Sequence, residues 1–414
     1  MNIKTVFILL ILSVAIIPLL WGQTPKTIST EAEVPPYKIP ELLTANNGEI
    51  VTSVKDWEKI RRPEILYLLE KEQYGKVPGH LKISKIRVLE FDDQAMGGKA
   101  IRKQILLTFN KNGKSLSFEL LVYLPKGIKS FPTFLGYNFN GNQTICYDTL
   151  IHMAKAWNGP AKDRGSNAAN WPVEMLINAG CGVATLFYWD IAPDKNDFST
   201  GIYPLFYNEN QTKPADDEWG ALAAWAWGLS RTLDYLKTDK DLDGKKVFVI
   251  GHSRLGKAAL WAGATDQRFA GVISNCSGCC GAALSKRVFG ETIGFVNGRF
   301  PRWTCGNFKK YSYKEELLPF DQHMVLALVA PRPLYVASAS EDLWADPKGE
   351  YLSACFAAPA FQLYGHSCNL NREILPVSET PISGIISHHI RTGKHDILEY
   401  DWKQYIQFAK QTVR

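Results

Sequence analysis

Hydrophobic and polar positions change their period along the chain, and the change divides it into regions. Residues 81–124 show β-type runs, notably 101–109 and 117–124, with the hairpin pair Asn112-Gly113 between them, so antiparallel strands are expected there. Further on, apolar runs at 133–136, 182–188, 246–250 and 334–339 alternate with helical patterns, the long ones at 219–235 and 255–264. Residues 63–74 also have helical spacing, behind a stretch with Pro35, Pro36 and Pro40 that suits an extended arm. Alternating strands and helices imply an α/β fold with a mostly parallel sheet and helices on both faces. No repeat or linker divides the remainder, so residues 23–414 are expected to form a single catalytic domain with an N-terminal arm and antiparallel strands.

The first residues have a different character. An apolar stretch from Val6 to Leu20 follows Lys4 and precedes Trp21-Gly22-Gln23, the pattern of an export signal over 1–22 cleaved after a small residue. That stretch is shorter than the ~20 residues of a spanning helix. A periplasmic or secreted protein is therefore expected, with no membrane association after cleavage.

Composition narrows the function classes. With 46% hydrophobic and 21% charged residues in 414, the chain can bury a large core, and a net charge of +6 carried by scattered Lys and Arg offers no track for nucleic acid. A monomer is expected. Eight cysteines in an exported chain leave disulfides open, with no pairing readable from spacing. Cys276 and Cys279 form a C-x-x-C spacing without the further ligands of a zinc site, so no metal is expected. Residues 239–244 begin like an EF-hand loop but place Ile250 where a bidentate Glu belongs, which leaves a polar turn before a strand.

The strongest chemical signal is the apolar run 246–250 entering Gly251-His252-Ser253 and passing straight into a helical pattern. This strand-turn-helix context is that of a nucleophile elbow, in which Ser253 would be lifted above the sheet and the helix N-terminus would favour an oxyanion. Gly251 supplies the small residue before the serine. Leu255 occupies the second usual small position, and Gly256 follows one residue later. A serine nucleophile needs a base, and the base needs an acid, in the chain order Ser, acid, His. Glu341 and Asp342 both follow the strand 334–339 and are both candidates for the acid. For the base, His395 lies in a Gly-containing loop before a final helix from about Leu398, while His388, His389 and His366 compete.

Several ordered blocks make the chain similar to the glucuronoyl esterases, carbohydrate esterase family fifteen, and to their bacterial branch in particular. They are residues 136–142 (Gly-Tyr-Asn-Phe-Asn-Gly-Asn), the elbow 251–257, residues 277–283, Phe300-Pro301-Arg302-Trp303, the stretch 321–333, residues 341–347 and Gly393-Lys394-His395-Asp396. The resemblance implies an α/β-hydrolase fold, a three-layer α/β/α sandwich. It also implies cleavage, without metal or organic cofactor, of the ester between glucuronate or 4-O-methylglucuronate on xylan and a lignin alcohol. Carried over by position, Ser253 is the nucleophile, His395 the base and Arg254 a side-chain donor to the oxyanion; Lys257, Glu291 and Trp344 contact the sugar. Many relatives place a catalytic glutamate where this chain has Cys276. A thiol with an ordinary pKa near ~8.5 is mostly neutral at pH 7, so the acid role passes to Asp342, a position used by bacterial relatives. An acetyl or other carbohydrate esterase is the alternative within the same chemistry, and a non-catalytic carbohydrate-binding relative is the alternative outside it.

Overall fold

The computed structural model describes residues 27–155 and 159–412. The expected export signal at 1–22 lies outside them. A nine-stranded sheet runs in the order β1-β2-β3-β5-β4-β6-β7-β8-β9, from β1 (Lys85–Gln94), β2 (Ala100–Lys111) and β3 (Lys114–Pro125) through β4 (Thr133–Asn138), β5 (Gly182–Phe187) and β6 (Val247–His252) to β7 (Gly271–Asn275), β8 (Leu334–Ala339) and β9 (Ile386–Arg391). The first strands pair antiparallel, as does β3 with β5, and every pair from β5 across to β9 is parallel. The Asn112-Gly113 turn has positive φ at both residues (53° and 72°), as a two-residue hairpin requires.

The alternating pattern of the strands sorts side chains into two cores. Val247 and Val249 of β6 enter one, with Leu334 and Val336 of β8; Phe248 and Ile250 enter the other, with Tyr335 and Ala337. Helices Ala221–Leu236 and Arg254–Thr265 supply residues to the first core, and helix Glu399–Thr412 supplies residues to the second. This is the three-layer α/β/α arrangement expected of an α/β-hydrolase. Central strands such as β4, β5 and β8 are buried along their whole length, as a sheet covered on both faces demands. Edge strand β1 is exposed and carries charge, which protects its open side.

Two parallel strands were not among the runs expected from sequence. β7 has five residues, and β9 reads Ile-Ser-His-His-Ile-Arg, whose polar residues hide its buried register. The consequence for the site is large, because β6, β7, β8 and β9 end side by side and each hands its next loop to the same rim of the sheet.

Candidate active site

At the end of β6 the chain turns into the helix Arg254–Thr265 through Ser253, which sits at φ 58° and ψ −132°. That left-handed conformation is rare for a residue with a side chain and is held here by the elbow. A Cβ at Gly251 would lie 2.0 Å from the Leu255 carbonyl oxygen, and one at Gly256 would lie 3.0 Å from that of Gly251. Gly251 and Gly256 are therefore the small pair that lets the turn close. Leu255 at the intervening position packs into the core.

The residues expected as base and acid arrive from the two neighbouring strand ends. After β8, Ala339 leads to Asp342, whose side chain is buried; Glu341 beside it is exposed and passes its backbone N–H to the Gly393 carbonyl. After β9 the loop carries His395, whose Nδ1 lies 2.5 Å from Asp342 Oδ2. His395 is partly exposed and lines, with Ser253 and Arg254, two adjoining cavities of about 340 and 260 Å³. Of the competing histidines, His388 and His389 point into the core from β9, and His366 lies in the loop beyond helix Pro347–Gln362. Burial pushes His388 down to about 3.

The His395 loop has its own mount, which sequence reading did not reveal. Arg391, at the end of β9, donates from its guanidinium to the carbonyls of Thr392, Lys394 and Asp396. Buried Asp401 accepts from Arg391 Nε at 3.0 Å and pairs with His389 Nε2 at 2.8 Å, while Tyr335 Oη lies 2.9 Å from His389 Nδ1. The loop is thus tied to the body of the sheet through a buried polar chain.

Cys276 stands at the end of β7 with φ 46°, and its Sγ lies within 4.8 Å of ligand atoms of both Asp342 and His395. Burial, then the nearby carboxylates of Glu350 and Asp342, push the thiol well above its ordinary range. These three residues are the metal-compatible group found among the described residues.

The smaller cavity lies on the β7 and β8 side of Ser253 and holds Lys257, Glu291 and Trp344. Lys257, one helical turn after Ser253, is buried and donates to Glu291 Oε2 at 2.7 Å. Its ammonium also donates to the carbonyls of Ser277 at 2.7 Å and Cys279 at 2.5 Å. Burial opposes the charge, yet the Glu291 carboxylate and its neighbours outweigh it and hold the ammonium above its ordinary range. Trp344 is 39% exposed and meets Phe295 edge-on at 4.7 Å, which leaves ring surface open to a ligand. Beneath the cavity, buried Glu350 accepts from the N–H groups of Ser277 (2.7 Å) and Gly278 (3.0 Å) and from Ser338 Oγ (2.6 Å). All eight cysteines carry free thiols, and the Cys279 and Cys280 sulfurs lie 3.8 Å apart.

A family model described as glucuronyl esterase, fungi, matches residues 107–365. The chain is 46% identical to a carbohydrate esterase of an unknown prokaryotic organism, over 92% of this chain and 90% of that one. The solved structure of a glucuronoyl esterase from Solibacter usitatus superposes with a TM-score of 0.88 at 46% identity, covering 93% of this chain and 100% of that one. This chain belongs to the glucuronoyl esterase family. A more distant relative, the 4-O-methyl-glucuronoyl methylesterase of Schizophyllum commune, is 26% identical over 78% of this chain and 72% of its own. Within this glucuronoyl esterase, every site residue expected from the sequence lines the two cavities or touches a residue that does. Residues not anticipated are Arg391, Asp401, Glu350 and Asp194, whose Oδ2 accepts from Arg254 Nη1 at 2.6 Å. Each belongs to a loop, a strand end or a helix interior where no motif marks it.

Proposed function

We propose that this protein is a serine esterase that hydrolyses the ester joining glucuronate or 4-O-methylglucuronate of xylan to lignin alcohols, through an acyl-enzyme on Ser253. The 2.5 Å contact of His395 with Asp342 beside an elbow serine carries this reading. His395 Nε2 takes the Ser253 proton as Oγ attacks the ester carbonyl, and Asp342 keeps the imidazole proton on Nδ1 and stabilises the imidazolium. Negative charge develops on the carbonyl oxygen, where the helix N-terminus and the Arg254 guanidinium stabilise it more than they stabilise the neutral ester. As the intermediate collapses, His395 returns the proton to the leaving alkoxide. Water, deprotonated by the same histidine, then releases the uronic acid and restores Ser253.

The substrate class rests on the second cavity. A buried Lys257–Glu291 pair beside an open tryptophan face suits a ring with several hydroxyls, with Glu291 accepting from them and Trp344 packing on the ring. The activity named for the fungal relative agrees in kind. No helix among the described residues is long and apolar enough to cross a membrane; export to the periplasm or beyond, as a single-domain monomer, is proposed from the sequence.

Initial rates on methyl and benzyl esters of glucuronate and galacturonate, beside aryl acetates and acetylated xylan, test the reading. Turnover of glucuronate esters is expected. Activity confined to acetates would replace it with an acetyl esterase. Failure of a fluorophosphonate probe to label Ser253 would leave only a carbohydrate-binding protein.

A further inference from the structure

A guanidinium stabilises an oxyanion well only if it is already aimed when charge develops, because any reorganisation adds to the barrier. Arg254 has a long side chain, 31% exposed, and nothing in the elbow itself fixes its rotamer. We propose that Asp194 is the positioning residue that aims Arg254, and that Arg302 locks the Asp194 backbone in place. The proposal rests on the reading of Arg254 as oxyanion donor.

Asp194 lies in the loop beyond β5, 60 residues from its partner, and its side chain is 6% exposed. Its Oδ2 accepts from Arg254 Nη1 at 2.6 Å and from Tyr188 Oη at 3.3 Å; its Oδ1 accepts from Trp303 Nε1 at 2.8 Å. Both oxygens are therefore engaged, and the carboxylate has one orientation. The loop itself is clamped from behind. Buried Arg302 donates from one Nη1 to the carbonyls of Pro193 and Lys195, the two residues that flank Asp194, and lies over the rings of Phe198 and Tyr203. Trp303 stacks on Phe300 at 3.9 Å, and the Arg254 guanidinium lies 5.0 and 5.5 Å from those two ring centroids. Arg254 is held at its edge by a fixed carboxylate and against its face by a fixed aromatic pair.

A carboxylate this close could instead act mainly by offsetting the charge that catalysis needs. The two roles predict opposite signs. If Asp194 positions, its loss lets the guanidinium wander and kcat falls; if it only neutralises, its loss frees charge and kcat rises.

The experiment is steady-state kinetics of Asp194→Asn on a glucuronate ester and on an aryl acetate. Asparagine keeps the shape and an oxygen for Trp303, but can turn an NH₂ toward Arg254. The expected result is a kcat lower by about ten-fold or more with KM held within about two-fold, equally on both substrates because they share the oxyanion. In an Arg254→Ala background the same change should add no further loss. Should Asp194→Asn fail to fold, Trp303→Phe removes one anchor of the carboxylate and should give a smaller loss of the same kind. A raised kcat, a rise in KM alone, or losses that multiply in the double variant would overturn the proposal. If Arg254→Ala keeps full kcat, the oxyanion reading itself fails. If Arg254→Ala is impaired while Asp194→Asn is not, only the positioning role fails.

Discussion

Lys257 Nζ and Glu291 Oε2 meet at 2.7 Å inside the smaller cavity, both nearly excluded from solvent. An ammonium has three protons to donate, and the Ser277 and Cys279 carbonyls take the other two. Lys257 therefore has no free proton for a ligand and shapes the pocket, so under the proposed reading the hydroxyls of a sugar ring would meet Glu291 more readily than the ammonium.

This arrangement sets the first prediction. Lys257→Ala should reduce hydrolysis of glucuronate esters far more than that of an aryl acetate, because the acetate has no ring for the pocket to hold. It should also lower stability by about 3–5 kcal/mol, the usual cost of breaking a buried ion pair from one side. Paired rate assays and denaturant unfolding check both parts. Intact stability would mean that the pair is not buried in solution, and equal losses on both substrates would place Lys257 at the common oxyanion.

Glu350 gives a pH-dependent prediction. Burial raises its carboxyl from an ordinary value near 4.5 to about 8, despite the donors around it. The folded protein then binds this proton more tightly than the unfolded chain does. Its stabilising contribution is complete below about 4.5 and declines as pH rises through 8, since unfolding releases a group that ionises more easily. Glu350→Gln keeps a neutral acceptor for Ser277 and Gly278 and removes the titration. The melting temperature of the parent relative to this variant should fall as pH rises from about 5 to 8. A constant difference would mean that Glu350 ionises normally under the donors it accepts from.

The mount of the base gives the third. Asp401→Asn removes the charge that faces buried Arg391 and pairs with His389. Arg391 would lose its partner while still gripping the His395 loop, so stability should drop by about 3–5 kcal/mol and kcat should fall without a matching rise in KM. Thermal unfolding and kinetics on any ester substrate check it. Unchanged kcat in a folded variant would show that the loop keeps its shape through Arg391 alone.

Much of this architecture was legible beforehand because it is written in short-range patterns. The elbow needs a buried strand, a glycine and a helix in immediate succession, and the hairpin needs Asn112-Gly113; both are visible in a few consecutive residues. From spacing alone the acid was legible only as a pair, since Glu341 and Asp342 are neighbours and burial, which separates them, is a tertiary property; the choice of Asp342 came from family likeness. His395 stood out from His388 and His389 by family likeness. Physically the distinction is that β9 runs through the latter two and ends before the former, and β9 is too polar to read as a buried strand. Asp194 and Asp401 were not identifiable as working residues, because each acts on a partner brought near by the fold and carries no local motif of its own; Arg302 lay in a marked block, Phe300-Pro301-Arg302-Trp303, but its grip on the Asp194 loop is a tertiary contact.

The last prediction concerns which carboxylate serves His395. Among the described residues, Cys276 and Asp342 are the ionisable groups that β7 and β8 offer to it at close range, and their sites differ in what charge they can carry. Burial beside carboxylates keeps the Cys276 thiol protonated, so it cannot orient or stabilise an imidazolium, whereas Asp342 already bonds Nδ1. Asp342→Asn should therefore preserve the fold and lose activity by up to about 10⁴-fold, the loss seen when the acid of a serine protease is changed in this way. Cys276→Ala should stay within a few-fold of the parent, and its thiol should resist alkylation until the protein unfolds. Because Cys276 Sγ sits within 4.8 Å of His395 ligand atoms, a carboxylate grown from that position can approach the same imidazole. Cys276→Glu should thus restore part of the activity of Asp342→Asn, while in the parent it should place two carboxylates on one histidine and raise the pKa of one of them. The pH–rate profiles of the single and double variants distinguish these outcomes. Full activity in Asp342→Asn with loss in Glu341→Gln would move the acid to the exposed neighbour. Full activity in both would remove the acid from this loop altogether.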